Sequence, residues 1–100
     1  MIYYKPTDDT EFRFVSESAR NLKDVSTDEE MLLLYGLYKQ ALYGNIKSSP
    51  PFIFTMKERK KWIAWKSQSG KGSSKCKKEY INLVYSLQSK YNINNSIRGV

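Results

Sequence analysis

Histidine is absent from the 100 residues, and cysteine occurs once, at Cys76. The first absence removes the commonest general base, every histidine-dependent triad and every histidine zinc site. The second removes an internal disulfide and any cysteine-rich metal cluster. A single thiol suits a reducing compartment, and Cys76 reads as packing rather than as a reactive group. Long apolar runs are also missing: the run 31–35 is far too short to span a bilayer. The first residues lack the basic-then-apolar order of a secretory signal, so cytoplasmic residence is the expectation.

What is present is core material and positive charge. Apolar residues make up 40% and aromatics 14%, enough for one folded, soluble domain. Seventeen Lys and Arg against ten Asp and Glu leave a net charge of +7, which favours an anionic partner: a nucleic acid, a membrane surface or a phosphorylated small molecule.

No stretch alternates cleanly enough for a strand, whereas four match a period of 3.6, so the fold reads all-α. In the first, Phe12, Val15, Ser16, Ala19 and Leu22 share a face. The second is capped by Ser26 or Thr27, with Asp28, Glu29 and Glu30 at the positive end of its dipole, and its body is 31–42. Gly44 and Asn45 suit its end, and Ser48-Ser49-Pro50-Pro51 forces an extended linker. The third covers about 57–66, where Trp62 and Trp65 are expected to anchor it against the core. The fourth begins near Ser73 and carries the stripe Tyr80, Val84, Leu87 and Tyr91, with Ile81 beside it. Short connections at the ends and a longer one in the middle predict a four-helix bundle with one crossover. The polar run 92–96 is expected to fray.

Gly70-Lys71-Gly72-Ser73 lacks the strand and the spacing of a phosphate loop. The informative segment is 35–44. Tyr35 and Lys39 are i, i+4 neighbours, so a phenol and an ammonium project from one face and can grip a phosphate together. On spacing alone, Tyr35 and Tyr38 serve equally well as core aromatics, with Lys39 a solvated charge. Lys57, Arg59, Lys60 and Lys61 gather at the start of the third helix, where the dipole repels cations and an anionic ligand would offset the cost. Arg20 is placed to join them.

Glu29-Glu30-Met31-Leu32, Tyr35-Gly36-Leu37-Tyr38-Lys39-Gln40-Ala41, Gly44-Asn45-Ile46, Lys61-Trp62-Ile63-Ala64-Trp65 and Glu79-Tyr80-Ile81 together resemble the acyl-CoA-binding protein family. The resemblance covers 11–93, leaving 1–10 as an N-terminal extension and 94–100 as a polar tail. It implies an up-down-down-up bundle of four helices, monomeric, that holds long-chain acyl-CoA without a cofactor, a metal or catalysis. By that resemblance Tyr35, Lys39 and Lys61 lie near the adenine and the ribose 3′-phosphate. Arg20 and Lys57 are head-group contacts, Tyr80 touches the nucleotide with Tyr38 beside it, and Met31 and Leu32 face the acyl chain. The chain departs from the family at Ser16, where alanine is common, at Ser73-Ser74-Lys75, which lacks acidic residues, and at the apolar segment 52–56, which is expected to alter chain-length preference. The implied role is a carrier and pool former that contacts membranes or acyl-CoA-using enzymes transiently. The competing reading, drawn from the charge, is a basic helical module that binds nucleic acid.

Overall fold

The computed structural model describes residues 8–50, 52 and 55–93, and among them are four α-helices and no strand. Helix α1 spans Asp8–Ser18 and continues into one 3-10 turn, Ala19–Leu22. Helices α2, α3 and α4 span Asp28–Tyr43, Met56–Lys66 and Ser73–Lys90. The expected extension and tail lie outside the described residues over 1–7 and 94–100, as do Pro51, Ile53 and Phe54 of the crossover.

Local chemistry sets the helix starts. Thr27, rather than Ser26, caps α2. The Glu30 amide donates to its hydroxyl at 3.1 Å, and the Thr27 amide donates back to Glu30 Oε1 at 2.9 Å, so two orphan amides are satisfied at once. Thr55 caps α3 by accepting from the Glu58 amide. Helix α2 ends at Gly44, whose φ of 75° lies in the left-handed region that only glycine enters without strain.

Pairs of contacts between helix ends fix the directions. Lys77, early in α4, pairs with Asp9, early in α1; late in both helices, Gln88 Nε2 donates to the Ser18 carbonyl and hydroxyl at 3.3 Å. Helices α1 and α4 therefore run parallel. Ser73 at the start of α4 donates to the Ala41 carbonyl near the end of α2, and Lys90 at the end of α4 meets Glu30 at the start of α2, so that pair is antiparallel. Met31 and Tyr35 of α2 share a hollow with Met56 and Lys61 of α3, and Tyr43 packs on Trp65, so α2 and α3 are parallel. The order is up-down-down-up, and the parallel α2–α3 step is what requires the long crossover.

The core is built from α1, α2 and α4: Phe12, Val15, Ala19, Leu22, Leu34, Leu37, Ala41, Cys76, Tyr80, Ile81, Val84 and Leu87. Ser16 is only half-buried, and Ser18 is enclosed instead, its hydroxyl donating to the Val15 carbonyl. The 73–75 turn has neither an acid nor a side-chain cap, and the Ser73 hydroxyl donates instead to the Ala41 carbonyl at the end of α2.

Helix α3 corrects one expectation: it buries no side chain, and Trp62 and Trp65 do not enter the core. Their indole N–H groups donate into the crossover instead, Trp65 to the Gly44 carbonyl at 2.8 Å and Trp62 to the Ser48 carbonyl and hydroxyl at 3.2 Å. The close contact with α2 is made by backbone. A Cβ on Gly36 would lie 2.3 Å from the Ala64 carbonyl oxygen, so only glycine permits the approach. In the last turn of α2, buried Gln40 donates to Asn45 Oδ1 and to the Lys71 carbonyl, and Asn45 Oδ1 also accepts from the Gly70 amide. These bonds lock the crossover to the α3–α4 turn.

Candidate functional site

Tyr35 is the residue on which the surface converges. It is half-buried on the exposed side of α2 and lines three neighbouring hollows. The first, about 580 Å³ between α2 and α3, is walled by Met31, Leu32, Met56, Lys57, Lys60 and Lys61, with Asp28 at one end. The second, about 560 Å³, lies where α1, α2 and α4 meet; Arg20, Met31, Tyr38 and Tyr80 line it beside Arg13 and Glu17. Met31 and Tyr35 are common to both, one helical turn apart, so they form the ridge between them. The third, about 300 Å³, lies under the crossover beside Ser48, Lys61 and both tryptophans.

Two ammonium groups attend this ridge. Lys61 Nζ lies 5.0 Å from the centre of the Tyr35 ring and Lys39 Nζ 5.7 Å from it. Lys39 is held further by Tyr43 at 5.1 Å and Trp65 at 5.8 Å, so three rings surround one cation. Cation–π contact of this kind fixes each ammonium without neutralising it. Neither lysine has an acidic partner among the ion pairs found in the described residues. The arrangement suits an anion carrying several negative oxygens.

The second hollow has a different floor. Tyr38 stacks on Phe12 with ring centres 5.5 Å apart, and Tyr80 packs against both at 5.1 and 5.7 Å. Tyr80 is 5% exposed, and burial, with the Tyr38 phenol adding, pushes its hydroxyl up to about 12. It stays a neutral phenol across the physiological range. Tyr38 is thus a core aromatic on one side and a wall of the hollow on the other.

Every residue to which the resemblance assigns a ligand contact falls in this region, whereas Arg59 of the basic cluster lines none of the three hollows. Met31, Leu32, Tyr35, Lys57 and Lys61 line the α2–α3 hollow; Arg20, Met31, Tyr35, Tyr38 and Tyr80 line the other; Lys39 lies beside Tyr35 without lining either. Lys60 belongs to the basic cluster 57–61 and Met56 to the apolar segment 52–56, without a ligand role of their own in the sequence reading, and Arg13 has no place in it. Lys60 is three residues after Lys57 and one before Lys61, a spacing that places all three along one flank of α3. Gly36 was visible only as part of a motif, and its structural role had no sequence signal of its own. Among the described residues no three acids or cysteines gather as a metal site.

A model of the family described as acyl CoA binding protein matches residues 9–84. The acyl-CoA-binding domain-containing protein 6 of Arabidopsis thaliana is 44% identical over 77 residues, which are 77% of this chain and 84% of that protein. Acyl-CoA-binding protein 2 of Saccharomyces pastorianus is 41% identical over 80 residues, 80% of this chain and 92% of that protein. The crystal structure of Oryza sativa acyl-CoA-binding protein 2 superposes with a TM-score of 0.81 at 40% identity, covering 86% of this chain and 96% of that one. With the bundle order, the crossover and the basic ridge already in place, these likenesses have one reading: the chain belongs to the acyl-CoA-binding protein family.

Proposed function

We propose that this protein binds long-chain fatty acyl-CoA esters and carries them as a soluble intracellular pool, working as a cytoplasmic monomer and performing no catalysis itself. The functional unit is 11–93. The observation that carries the reading is the Tyr35 ridge, where a paired-lysine anion site borders an apolar-walled hollow.

In this account Lys39 and Lys61, with the Tyr35 phenol, take the ribose 3′-phosphate. Arg20 and Lys57 serve the remaining phosphates, and Tyr38 and Tyr80 border the nucleotide. Met31 and Leu32, joined by Met56, shelter the acyl chain. Each sheltered methylene contributes about 0.8 kcal/mol, so ten contribute on the order of 8 kcal/mol before ordering costs. Charge-assisted bonds to the phosphates add to this, and neither half of the ligand suffices alone. With no histidine in the sequence, no hydroxyl in the hollows has the usual imidazole base to activate it, which supports a binding role over thioester cleavage. The cargo passes to membranes or to acyl-CoA-using enzymes by transient contact.

Isothermal titration with palmitoyl-CoA below its micelle threshold, beside free CoA and palmitate, tests the reading. One-to-one binding of the ester, far tighter than of either fragment, is the expected result. Lys39→Ala should weaken it by roughly tenfold or more while leaving the far-ultraviolet circular dichroism unchanged. Equal or absent binding of all three ligands would overturn the proposal and favour the basic nucleic-acid module.

A further inference from the structure

Helix α3 has two flanks, and Met56 and Lys60 lie where they meet. Lys57 and Lys61 look into the α2–α3 hollow, and Ala64 meets Gly36. At 100° per residue, Met56, Arg59, Lys60, Ile63 and Lys66 fall together on the remaining arc. Met56 and Ile63, seven residues apart, form its apolar centre and are 66% and 58% exposed. Arg59, Lys60 and Lys66 surround them, all exposed, and the helix's single acid, Glu58, lies away from this arc beside the Trp62 hollow. Just before the helix, Phe52 is 80% exposed.

We infer that this outer face of α3 docks the protein on an anionic lipid bilayer. Lysine is depleted from the centres of protein–protein interfaces, and two widely spaced apolar side chains are too few to seal one. The same composition suits a membrane interface: the apolar tips enter the headgroup boundary while the long basic side chains keep their charges at the phosphate level. Charge complementarity selects an anionic surface over a neutral one. Because Met56 and Lys60 also wall the α2–α3 hollow, docking would bring the mouth of that hollow to the bilayer, where an apolar chain moves between the two without crossing open water. The inference rests on the membrane contact proposed above, but its vesicle arms contain no acyl-CoA, so the two readings fail separately.

The test is co-sedimentation of the full chain with phosphatidylcholine vesicles and with mixed phosphatidylcholine and phosphatidylserine vesicles, at low and high salt. Binding to the mixed vesicles that weakens with salt, with little binding to the neutral ones, is expected. The double variant Ile63→Gln, Lys66→Gln should partition about tenfold less while titrating palmitoyl-CoA as the parent does. Lys66→Glu alone should show the same direction. Lys39→Ala, whose change lies in the ligand site, should keep vesicle binding whether or not the carrier reading holds. Equal partitioning into both vesicle types, unaltered partitioning of the variants, or retention on duplex DNA with both vesicles ignored would each overturn the inference.

Discussion

Around Tyr35 two ammonium groups lie within 6 Å of one ring, and a third and fourth cation, Lys57 and Lys60, line the hollow next to it. Aromatic faces hold the lysines in position, so the proposed anion site is organised ahead of its ligand. Gly36, the next residue along, governs how far Lys61 lies from Tyr35. Gly36→Ala gains about 1 kcal/mol of helix propensity. Against this, the new Cβ would meet backbone, the Ala64 carbonyl at 2.3 Å, which cannot rotate aside as a flexible side chain would. Overpacking costs about 1–3 kcal/mol, so the clash wins. The variant should unfold at lower urea and bind palmitoyl-CoA more weakly, and a midpoint equal to or above that of the parent would refute the close approach.

At the scale of the element, the start of α2 and the end of α4 form a single clamp. Lys90 reaches Glu30 Oε2 at 2.6 Å, and the Tyr91 hydroxyl donates to Glu30 Oε1 at 2.7 Å, while Thr27 completes the capping box. Together these bonds, that of Lys90 foremost, pull the Glu30 carboxyl from 4.5 down to about 2. A depressed carboxyl pKa gives stability that is fully present above about 4.5 and is lost as pH falls toward 2. Glu30→Gln should therefore lower the melting temperature at pH 6, and the gap between variant and parent should close as the pH approaches 2. A gap independent of pH across that window would show that the charge is not what the clamp uses.

Legibility from sequence followed the range of the interactions. The Thr27–Glu30 box and the Tyr80, Val84, Leu87 stripe are local or periodic, so the start of α2 and the buried face of α4 could be read directly. Helix α3 could be recognised as a helix but not placed. Its indoles were expected in the core because helical spacing says nothing of loop carbonyls 14 and 21 residues away, the partners they have. Tyr35 and Lys39 were readable as a pair because they are four apart on one helix. Lys61 joined them only through resemblance, since its approach to Tyr35 depends on the backbone contact at Gly36.

At the scale of the whole molecule, α1, α2 and α4 build the core among the described residues, and α3 is laid against α2 so that the two wall one hollow. In the proposed complex one ligand straddles the Tyr35 ridge, with its acyl chain between α2 and α3 and its nucleotide toward Tyr38 and Tyr80. The direct measurement is isotope-filtered nuclear Overhauser spectroscopy on the one-to-one complex with palmitoyl-CoA. Contacts from the chain methylenes to the methyl groups of Met31, Leu32 and Met56, and from the adenine to the rings of Tyr35, Tyr38 and Tyr80, are predicted. Methylene contacts that avoid the α2–α3 hollow, or adenine contacts confined to the far face of α1 and α4, would contradict the account.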